Sequence, residues 1–387
     1  MQALILVGGE ATRLRPLTCN MPKSMVPVFN TPFLEHVIRY LSGHNVKNIV
    51  LAQGHLPKPM DDYFGDGSRF GIKLTYALES QPMGTAGAVK NAEPYLESTF
   101  LVLNGDIFTD LDLTAMLAFH QSRQAKITIA LAPVEDPTAY GLVETASDGR
   151  INRFLEKPSW NQITTNMINA GTYIVNKEVL KRIPAGANYS FERQLFPQLL
   201  ETGELLFAFP SNAYWIDIGT PEKYLQLHRD IMRGEVKGYQ VVQGKVVKIG
   251  QNCSINPETQ IVGPAVIGNS CVISRGAKVF GPVVLGNGVN LGEDAVIDSS
   301  IIWSNSHLGS KVSIKECLVA NDCLLGNNVA AEKTVIGDHV TLSGNTRLGS
   351  GSRIWPPAPV ITVTPGKREV STGQTPSEIG NTGPFLP

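Results

Sequence analysis

The stretch that decides the fold of the first half opens the chain: Met1-Gln2-Ala3-Leu4-Ile5-Leu6-Val7-Gly8-Gly9-Glu10-Ala11-Thr12-Arg13. A short apolar run ending in two glycines is typical of a first β-strand followed by a loop whose backbone N–H groups approach a phosphate. Arg13 and, further on, Lys23 would supply the positive charge that a triphosphate needs. The loop has neither G-x-G-x-x-G nor G-K-[ST], so it is not a dinucleotide fingerprint or a Walker A loop. On spacing alone, a tight turn with surface arginines is the alternative.

Up to about residue 232, short apolar runs alternate with amphipathic stretches. This pattern predicts an α/β region with a mostly parallel sheet and helices on its faces. Helical spacing follows Pro32 and again follows Asp112. The predicted strands are Ala3 to Val7, Asn48 to Ala52, Lys73 to Leu78, Phe100 to Leu103 and Ile127 to Ala132.

From Ile249 the period changes to six residues, and glycine often follows the marked position. A hexad of aliphatic residues is the signature of a parallel β-helix. We therefore expect an α/β domain over 1–232 and a linker over 233–248. A β-helix of about six coils would follow over 249–354, and a flexible tail over 355–387. The marked positions are Ile249, Ile255, Ile261, Ile267, Ile273, Val279, Leu285, Leu291, Ile297 and Trp303, then Leu308 and Ile314, then Leu318, Leu324, Ala330, Ile336, Leu342, Leu348 and Ile354.

Composition and charge exclude several classes of protein. Of the 387 residues 42% are hydrophobic, which excludes disorder of the whole chain, and 33 basic against 34 acidic side chains argue against a nucleic-acid binder. No window approaches 18 apolar residues, and the N-terminus lacks a basic leader, so neither a membrane span nor a signal peptide is expected. Five dispersed cysteines predict a reduced, cytoplasmic protein without a zinc cluster.

Two acidic residues each follow an apolar run, in Leu103-Asn104-Gly105-Asp106 and in Trp215-Ile216-Asp217-Ile218-Gly219. A carboxylate at the end of a parallel strand lies in the crevice where α/β sheets bind ligands, and a hard oxygen ligand suits Mg²⁺. Together Asp106 and Asp217 would make a two-carboxylate cation site, whereas each alone also fits a turn. Lys157 could hold an anionic substrate and Asn169 could bind sugar hydroxyls; each also fits a surface position or a turn.

In their joint order these residues make the chain resemble the sugar-1-phosphate nucleotidyltransferases, and the hexads behind them are similar to the left-handed β-helix that many of these enzymes carry. The resemblance implies a Rossmann-like nucleotidyltransferase domain. It rests on Leu6-Val7-Gly8-Gly9, Thr12-Arg13-Leu14-Arg15-Pro16-Leu17-Thr18, Pro22-Lys23, Gly84-Thr85-Ala86-Gly87, Asn104-Gly105-Asp106, Tyr140-Gly141, Arg153-Phe154-Leu155-Glu156-Lys157-Pro158, Asn169-Ala170-Gly171 and Trp215-Ile216-Asp217-Ile218-Gly219.

The resemblance also implies roles for individual residues. The catalytic residues would be Arg13, Lys23 and Lys157, with Arg13 on the leaving pyrophosphate. The expected nucleotide contacts are Gly8, Gly9, Arg13, Lys23, Gln81 and Gly84; the expected sugar-phosphate contacts are Gly141, Glu156, Lys157 and Asn169; the expected Mg²⁺ ligands are Asp106 and Asp217. Two positions depart from the family pattern: Ala11 stands where glycine is usual, and Ser24 stands where proline is usual.

The implied reaction joins a nucleoside triphosphate and a sugar 1-phosphate into a nucleotide-sugar and pyrophosphate. GTP and mannose 1-phosphate are the expected pair, because the stretch from Tyr140 to Asp217 looks closest to that group. Glucose-1-phosphate uridylyl-, thymidylyl- or adenylyltransferase is the alternative, and Gln81 favours it, since guanylyltransferases often have glutamate there. We expect a homo-oligomer that binds no nucleic acid and no membrane.

Two further classes stay open. The β-helix could carry an acyltransferase site with His307 or His339 as the base. The chain could instead be a non-catalytic regulatory subunit that binds nucleotide-sugar. The presence of all four expected phosphate and metal contacts argues against the second class.

Overall fold

The computed structural model describes residues 1–54, 57–239 and 246–357. Up to residue 233 these residues form a nine-stranded sheet with α-helices packed against it. The helices are α1 (Phe33–Gly43), α2 (Lys58–Phe64), α3 (Gly84–Asn91), α4 (Leu113–Ser122), α5 (Phe196–Glu201) and α6 (Pro221–Arg233). The strands of this part are β1 (Gln2–Leu6), β2 (Pro27–Val28), β3 (Thr31–Pro32), β4 (Asn48–Gln53), β5 (Lys73–Leu78), β6 (Thr99–Asn104), β7 (Ile107–Thr109), β8 (Ile127–Pro133), β9 (Gly141–Thr145), β10 (Ile151–Glu156), β11 (Met167–Asn176), β12 (Leu206–Pro210) and β13 (Trp215–Asp217).

The sheet is covered on both faces. Its strand order is β10-β9-β11-β6-β1-β4-β5, with β8 beside β11 and β12 beside β8. Along β1, Ala3 and Ile5 belong to one buried cluster and Leu4 to the cluster on the opposite face. A strand buried on both faces reads as a continuous apolar run rather than as an alternating one, which explains the opening sequence.

The predicted α/β architecture is confirmed. All five predicted strands are present, as β1, β4, β5, β6 and β8, and α1 and α4 lie where helical spacing predicts them. Strands β1, β4, β5 and β6 are parallel. The sheet departs from parallel pairing at β11, which runs antiparallel to β6 and β8, and at the antiparallel pair β9 and β10.

The chain from 247 to 354 folds into three parallel sheets whose strands recur in turn, which is the arrangement of the predicted β-helix. The first sheet holds β14 (Val247–Ile249), β17 (Ala265–Ile267), β20 (Val283–Leu285), β23 (Ile301–Ile302), β26 (Leu318–Val319), β29 (Val335–Ile336) and β32 (Arg353–Ile354). The second holds β15 (Ser254–Ile255), β18 (Val272–Ile273), β21 (Asn290–Leu291), β24 (His307–Leu308), β27 (Leu324–Leu325) and β30 (Thr341–Leu342). The third holds β16 (Gln260–Val262), β19 (Lys278–Phe280), β22 (Val296–Asp298), β25 (Ser313–Lys315), β28 (Ala330–Glu332) and β31 (Arg347–Leu348).

The predicted hexad register is wrong at four positions. The first coils repeat every 18 residues, but Leu285 pairs with Ile302, one residue earlier than the predicted Trp303. In the next coil the paired residues lie one position later than predicted: Val319, Leu325 and Ala331 take the places of Leu318, Leu324 and Ala330. At all four places two apolar residues are adjacent, so the sequence pattern could not distinguish the two registers. Leu324 is 51% exposed whereas Leu325 is fully buried.

The first sheet of the β-helix packs against the α/β region. Trp303 is buried in this contact, and its indole N–H donates to the Tyr224 hydroxyl of α6 at 3.1 Å. Nearby, Arg229 and Glu316 form an ion pair with a distance of 2.7 Å. The residue that breaks the predicted hexad therefore serves the contact between the two parts.

Parts of two predicted segments lie outside the described residues: 240–245 of the linker and 358–387 of the tail. The described part of the linker includes the end of α6 at Arg233 and the first residues of β14. Among the described residues, no helix has the length and apolar character needed to cross a membrane.

Candidate functional site

A cavity of about 560 Å³ opens beside the ends of β1 and β6. It lies at the carboxyl ends of parallel strands, where open α/β sheets bind ligands. Six of the predicted site residues line it: Gly8, Gly9, Arg13, Lys23, Gly84 and Asp106. The others lie around it and are taken in turn below.

The loop after β1 forms one wall of the cavity. A Cβ on Gly8 would lie 2.8 Å from Oε1 of Glu79 and 3.1 Å from the backbone nitrogen of Gly54, so the close approach of these segments requires glycine. Ala11 has φ 50° and ψ 41°, the left-handed region that glycine adopts without strain. Ala11 therefore holds a conformation that strains alanine and that glycine would adopt without strain.

The cations Arg13 and Lys23 enter the cavity from two short 3₁₀ helices, Thr12–Leu14 and Lys23–Met25. Nζ of Lys23 lies 2.7 Å from Oδ2 of Asp106, and these side chains are 12% and 33% exposed. The Arg13 guanidinium lies against Gly219, where a Cβ would be 2.8 Å from Nη2. Positive charge is thus held at the end of the cavity that is formed by the loop after β1. This loop, which carries Gly8 and Gly9, is called the glycine loop below.

The second predicted metal ligand, Asp217, lies at the end of β13 and is 5% exposed. Its Oδ2 accepts hydrogen bonds from Nζ of Lys223 at 2.6 Å and from the Tyr140 hydroxyl at 2.7 Å, and its Oδ1 accepts one from the Gly219 N–H at 2.8 Å. Burial raises the pKa of this carboxyl, but the bonds from Lys223 and Tyr140 outweigh burial and leave the pKa below its ordinary value. Asp217 is therefore ionised at neutral pH.

The two aspartates lie on paired segments. Asp217 pairs with Ile107, the residue after Asp106, and the N–H of Ile218 donates to the Asp106 carbonyl oxygen at 3.0 Å. Carboxylate oxygens suit Mg²⁺, which usually takes one or two carboxylates together with substrate phosphates. Within the described residues there is no cluster of three or more His, Cys, Asp or Glu side chains that could hold a metal. The donor set therefore fits a metal that is shared with a bound phosphate.

The predicted sugar-side residues do not line the cavity, but they lie close to one another. A Cβ on Gly141 would be 3.0 Å from Oε2 of Glu156, which pairs with it across β9 and β10. The exposed Lys157 has φ 52°, in the left-handed region, and its N–H donates to the Tyr140 carbonyl at 2.9 Å. Burial raises the pKa of Glu156, and the nearby Glu192 carboxylate adds to this.

Asn169 is joined to the cavity wall through a chain of side-chain hydrogen bonds. Its Nδ2 lies 2.8 Å from the Tyr173 hydroxyl, which donates to Oε1 of Glu192 at 3.2 Å. Oε2 of Glu192 accepts from the hydroxyl of Thr85, a lining residue, at 2.9 Å. This network fixes the orientation of the Asn169 amide relative to helix α3, which lines the cavity.

Gln81 is exposed and is not among the lining residues, whereas Glu79 is. Oε2 of Glu79 accepts the N–H of Met83 at 3.2 Å, and burial raises the pKa of its carboxyl. In this stretch Gln81 was predicted from the sequence as a site residue and Glu79 was not; a nucleotide contact of Gln81 stays a prediction. Glu79 directly follows β5 (Lys73–Leu78), and its position at the end of a strand was the available signal for a side chain that faces the cavity.

Comparison with known proteins identifies the family. The family model described as nucleotidyl transferase matches residues 2–234, more than half of the chain, and the model described as GMPPB C-terminal domain matches residues 231–360. The chain belongs to the nucleotidyl transferase family.

Named relatives of this nucleotidyltransferase come from distant organisms. A mannose-1-phosphate guanylyltransferase of Mycobacterium tuberculosis is 35% identical over 69% of this chain and 75% of its own length. A UTP–glucose-1-phosphate uridylyltransferase of Synechocystis is 34% identical over 82% of this chain and 87% of its own. Among solved structures, HddC of Yersinia pseudotuberculosis complexed with GMP-PN is 32% identical, covers 58% of this chain and 96% of that one, and has a TM-score of 0.51.

Two further residues at the site, Lys223 and Tyr140, were not predicted from the sequence as site residues, although Tyr140 stands in one of the motifs. Both side chains contact Asp217, and the Lys223 ammonium and the Tyr140 hydroxyl contact each other. Lys223 follows Asp217 by six residues and lies in the first turn of α6, so a lysine shortly after the second aspartate was the available signal.

Proposed function

We propose that this nucleotidyltransferase joins GTP and mannose 1-phosphate into GDP-mannose and pyrophosphate. The observation that carries the proposal is the cavity itself, with the Glu79 carboxylate on one wall and the Arg13 and Lys23 cations at the glycine loop. An ionised carboxylate accepts hydrogen bonds and donates none. Guanine presents two adjacent donors that match it, the ring N–H and the exocyclic amine. The triphosphate would then extend from Glu79 toward the two cations.

The same chemistry disfavours a pyrimidine at this wall. Uracil and thymine present one ring N–H between two carbonyl oxygens, so a carboxylate would bond one donor and face two acceptors. The relative named mannose-1-phosphate guanylyltransferase, from Mycobacterium tuberculosis, supports the choice of substrates.

The proposed reaction needs no general base. The attacking oxygen belongs to a sugar phosphate that is ionised at neutral pH; it forms a bond to the α-phosphorus while the bond to the bridging oxygen of pyrophosphate breaks. The site therefore acts by positioning and by neutralising charge. Arg13, Lys23 and the N–H groups of Gly8 and Gly9 would hold the triphosphate.

On the other side, Lys157 would bind the phosphate of the sugar, and Gly141, Glu156 and Asn169 would form the wall that meets its hydroxyl groups. Magnesium bound by Asp106 and Asp217 would screen the phosphate charges and favour in-line attack. Two observations support this assignment. Asp217 is ionised, and its strand β13 pairs with β7, which begins at the residue after Asp106.

A second candidate, transfer of uridylyl to glucose 1-phosphate, is favoured by the Synechocystis relative, which is matched over 87% of its length. The experiment that separates the two is a matrix of five nucleoside triphosphates against mannose, glucose and N-acetylglucosamine 1-phosphates, scored by pyrophosphate release with Mg²⁺. We expect the GTP and mannose 1-phosphate pair to give the largest kcat/KM. A maximum at UTP and glucose 1-phosphate would replace the proposal by the second candidate.

The β-helix histidines are outside this proposal. His307 is exposed on β24, and Nδ1 of His339 lies 3.7 Å from Oδ2 of Asp322. A homo-oligomeric state and a cytoplasmic location stay predictions from the sequence, and size-exclusion chromatography with light scattering tests the first of them.

A further inference from the structure

The loop that carries Arg13 is held from outside the α/β region. Nη1 of Arg353, on the last strand of the β-helix, donates to the Arg15 carbonyl oxygen at 2.9 Å and to the Arg13 carbonyl oxygen at 3.2 Å. Arg353 is 338 residues from Arg15 in the chain. One side chain at the end of the β-helix therefore bonds the backbone of the residue whose guanidinium enters the cavity.

The two carbonyls need a donor from elsewhere. Within the loop, the carbonyls of Ala11, Thr12, Leu14 and Pro16 accept backbone N–H groups of later loop residues. No backbone N–H among the described residues donates to the carbonyls of Arg13 or Arg15. Carbonyls at the end of a short helix are commonly satisfied by an arginine or lysine side chain, which is what Arg353 does here.

Other residues of the last coils touch the same loop. A Cβ on Gly337 would lie 3.1 Å from Cβ of Pro16, so glycine permits the close approach of the coil. Nδ2 of Asn20 lies 3.5 Å from Oδ2 of Asp338, which is 4% exposed. The loop thus contacts the β-helix at three residues, Arg353, Gly337 and Asp338.

We propose that Arg353 is a positioning residue for the triphosphate: by bonding the Arg13 and Arg15 carbonyls it sets the direction in which Arg13 enters the cavity. The inference rests on the proposed function, in which Arg13 binds the leaving pyrophosphate. It assigns the β-helix a part in substrate binding, although the β-helix contributes no residue to the cavity lining.

The test is steady-state kinetics of Arg353→Ala and Arg353→Lys with GTP and mannose 1-phosphate varied separately. Because the loop loses two charge-assisted hydrogen bonds, we expect Arg353→Ala to raise the KM for GTP roughly tenfold and to change the KM for mannose 1-phosphate less than about twofold. Arg353→Lys should recover part of the loss, since an ammonium can bond one of the carbonyls.

Arg347→Ala is the matched control. Arg347 is an exposed arginine on the preceding strand β31, and no side-chain hydrogen bond or ion pair of it is found within residues 1–54, 57–239 and 246–357. We expect its KM values to equal those of the wild type. Thermal unfolding of every variant accompanies the kinetics; a structural anchor alone would lower the unfolding temperature without moving the KM for GTP.

An unchanged KM for GTP in Arg353→Ala, or an equal rise for both substrates, would overturn the inference. Its failure is distinct from failure of the proposed function, which would appear as a wild type without pyrophosphate release. In that case calorimetric titration of the wild type and Arg353→Ala with GTP alone still decides: equal affinities would overturn the positioning role, and roughly tenfold weaker binding by the variant would support it.

Discussion

Nζ of Lys23 and Oδ2 of Asp106 lie 2.7 Å apart, so a predicted phosphate-binding cation and a predicted metal ligand form an ion pair inside one cavity. Asp106 balances the lysine charge in a site built for anions. A metal bound at Asp106 would compete with Lys23 for that carboxylate and would turn the ammonium toward the phosphates.

Asp106→Asn tests the metal assignment. The amide keeps the shape of the side chain but loses the charge that attracts Mg²⁺, so we expect kcat to fall by at least about 100-fold. Pyrophosphate release at saturating substrates measures the effect, and circular dichroism checks the fold. A variant with the wild-type rate would remove Asp106 from the site.

Glu79→Gln tests the recognition of guanine. The amide replaces one acceptor by a donor that faces the guanine donors, so we expect kcat/KM for GTP to fall about tenfold or more, with a smaller loss for UTP. Gln81→Ala, measured in the same assay, tests the nucleotide contact predicted from the sequence at a residue that is exposed and does not line the cavity. Equal losses for GTP and UTP would exclude Glu79 as the residue that selects the base.

Lys157→Ala tests the sugar-phosphate side. Removing one ammonium from an anionic substrate should raise the KM for mannose 1-phosphate about tenfold while the KM for GTP changes little. Lys181→Ala, at an exposed lysine that belongs to none of the predicted motifs, should leave both values unchanged. If the KM for mannose 1-phosphate stays at the wild-type value, Lys157 has no such role.

Lys223→Met tests the environment of Asp217 through pH. In the wild type the folded-state pKa of Asp217 lies below the ordinary 3.8, so its contribution to stability is present above that value and is lost as pH falls through the folded-state pKa. Without the ammonium, burial raises the pKa and the ionised carboxylate opposes folding. We expect the variant to be about 2 kcal/mol less stable at pH 7, with the difference shrinking toward pH 4.

Urea denaturation at several pH values measures this difference. The double variant Lys223→Met with Asp217→Asn is the control, because it has no buried charge and its stability should depend less on pH. A deficit of Lys223→Met that is the same at pH 7 and pH 4 would mean that Lys223 acts on stability by another route.

Ala11→Gly tests the strain of the glycine loop. Alanine in the left-handed region costs about 1 kcal/mol, and glycine removes that cost while it adds freedom to the unfolded chain. We expect the free energy of unfolding to stay the same or to rise. By contrast, Ala118→Gly on the exposed face of α4 should lower it by about 1 kcal/mol. Equal losses at both positions would contradict the strained conformation of Ala11.

The sequence predicted most of what depends on local pattern. The opening strand, its glycine loop and the hexads are periodic signals, and they led to the correct α/β fold and β-helix. The register was predicted wrongly at four positions between Trp303 and Ala330, because pairs of adjacent apolar residues fit either position there. Contacts such as Tyr140 with Asp217, or Arg353 with the Arg13 carbonyl, join residues far apart in the chain, and no local pattern encodes such pairs.

The most direct test of the central claim is a competition in one vessel. The wild type is incubated with Mg²⁺ and equal concentrations of GTP, UTP, mannose 1-phosphate and glucose 1-phosphate, and the nucleotide-sugars formed at early times are quantified by mass spectrometry. Our account predicts that GDP-mannose is the main product and that pyrophosphate forms in equal amount. UDP-glucose as the main product, or no nucleotide-sugar at all, would contradict it.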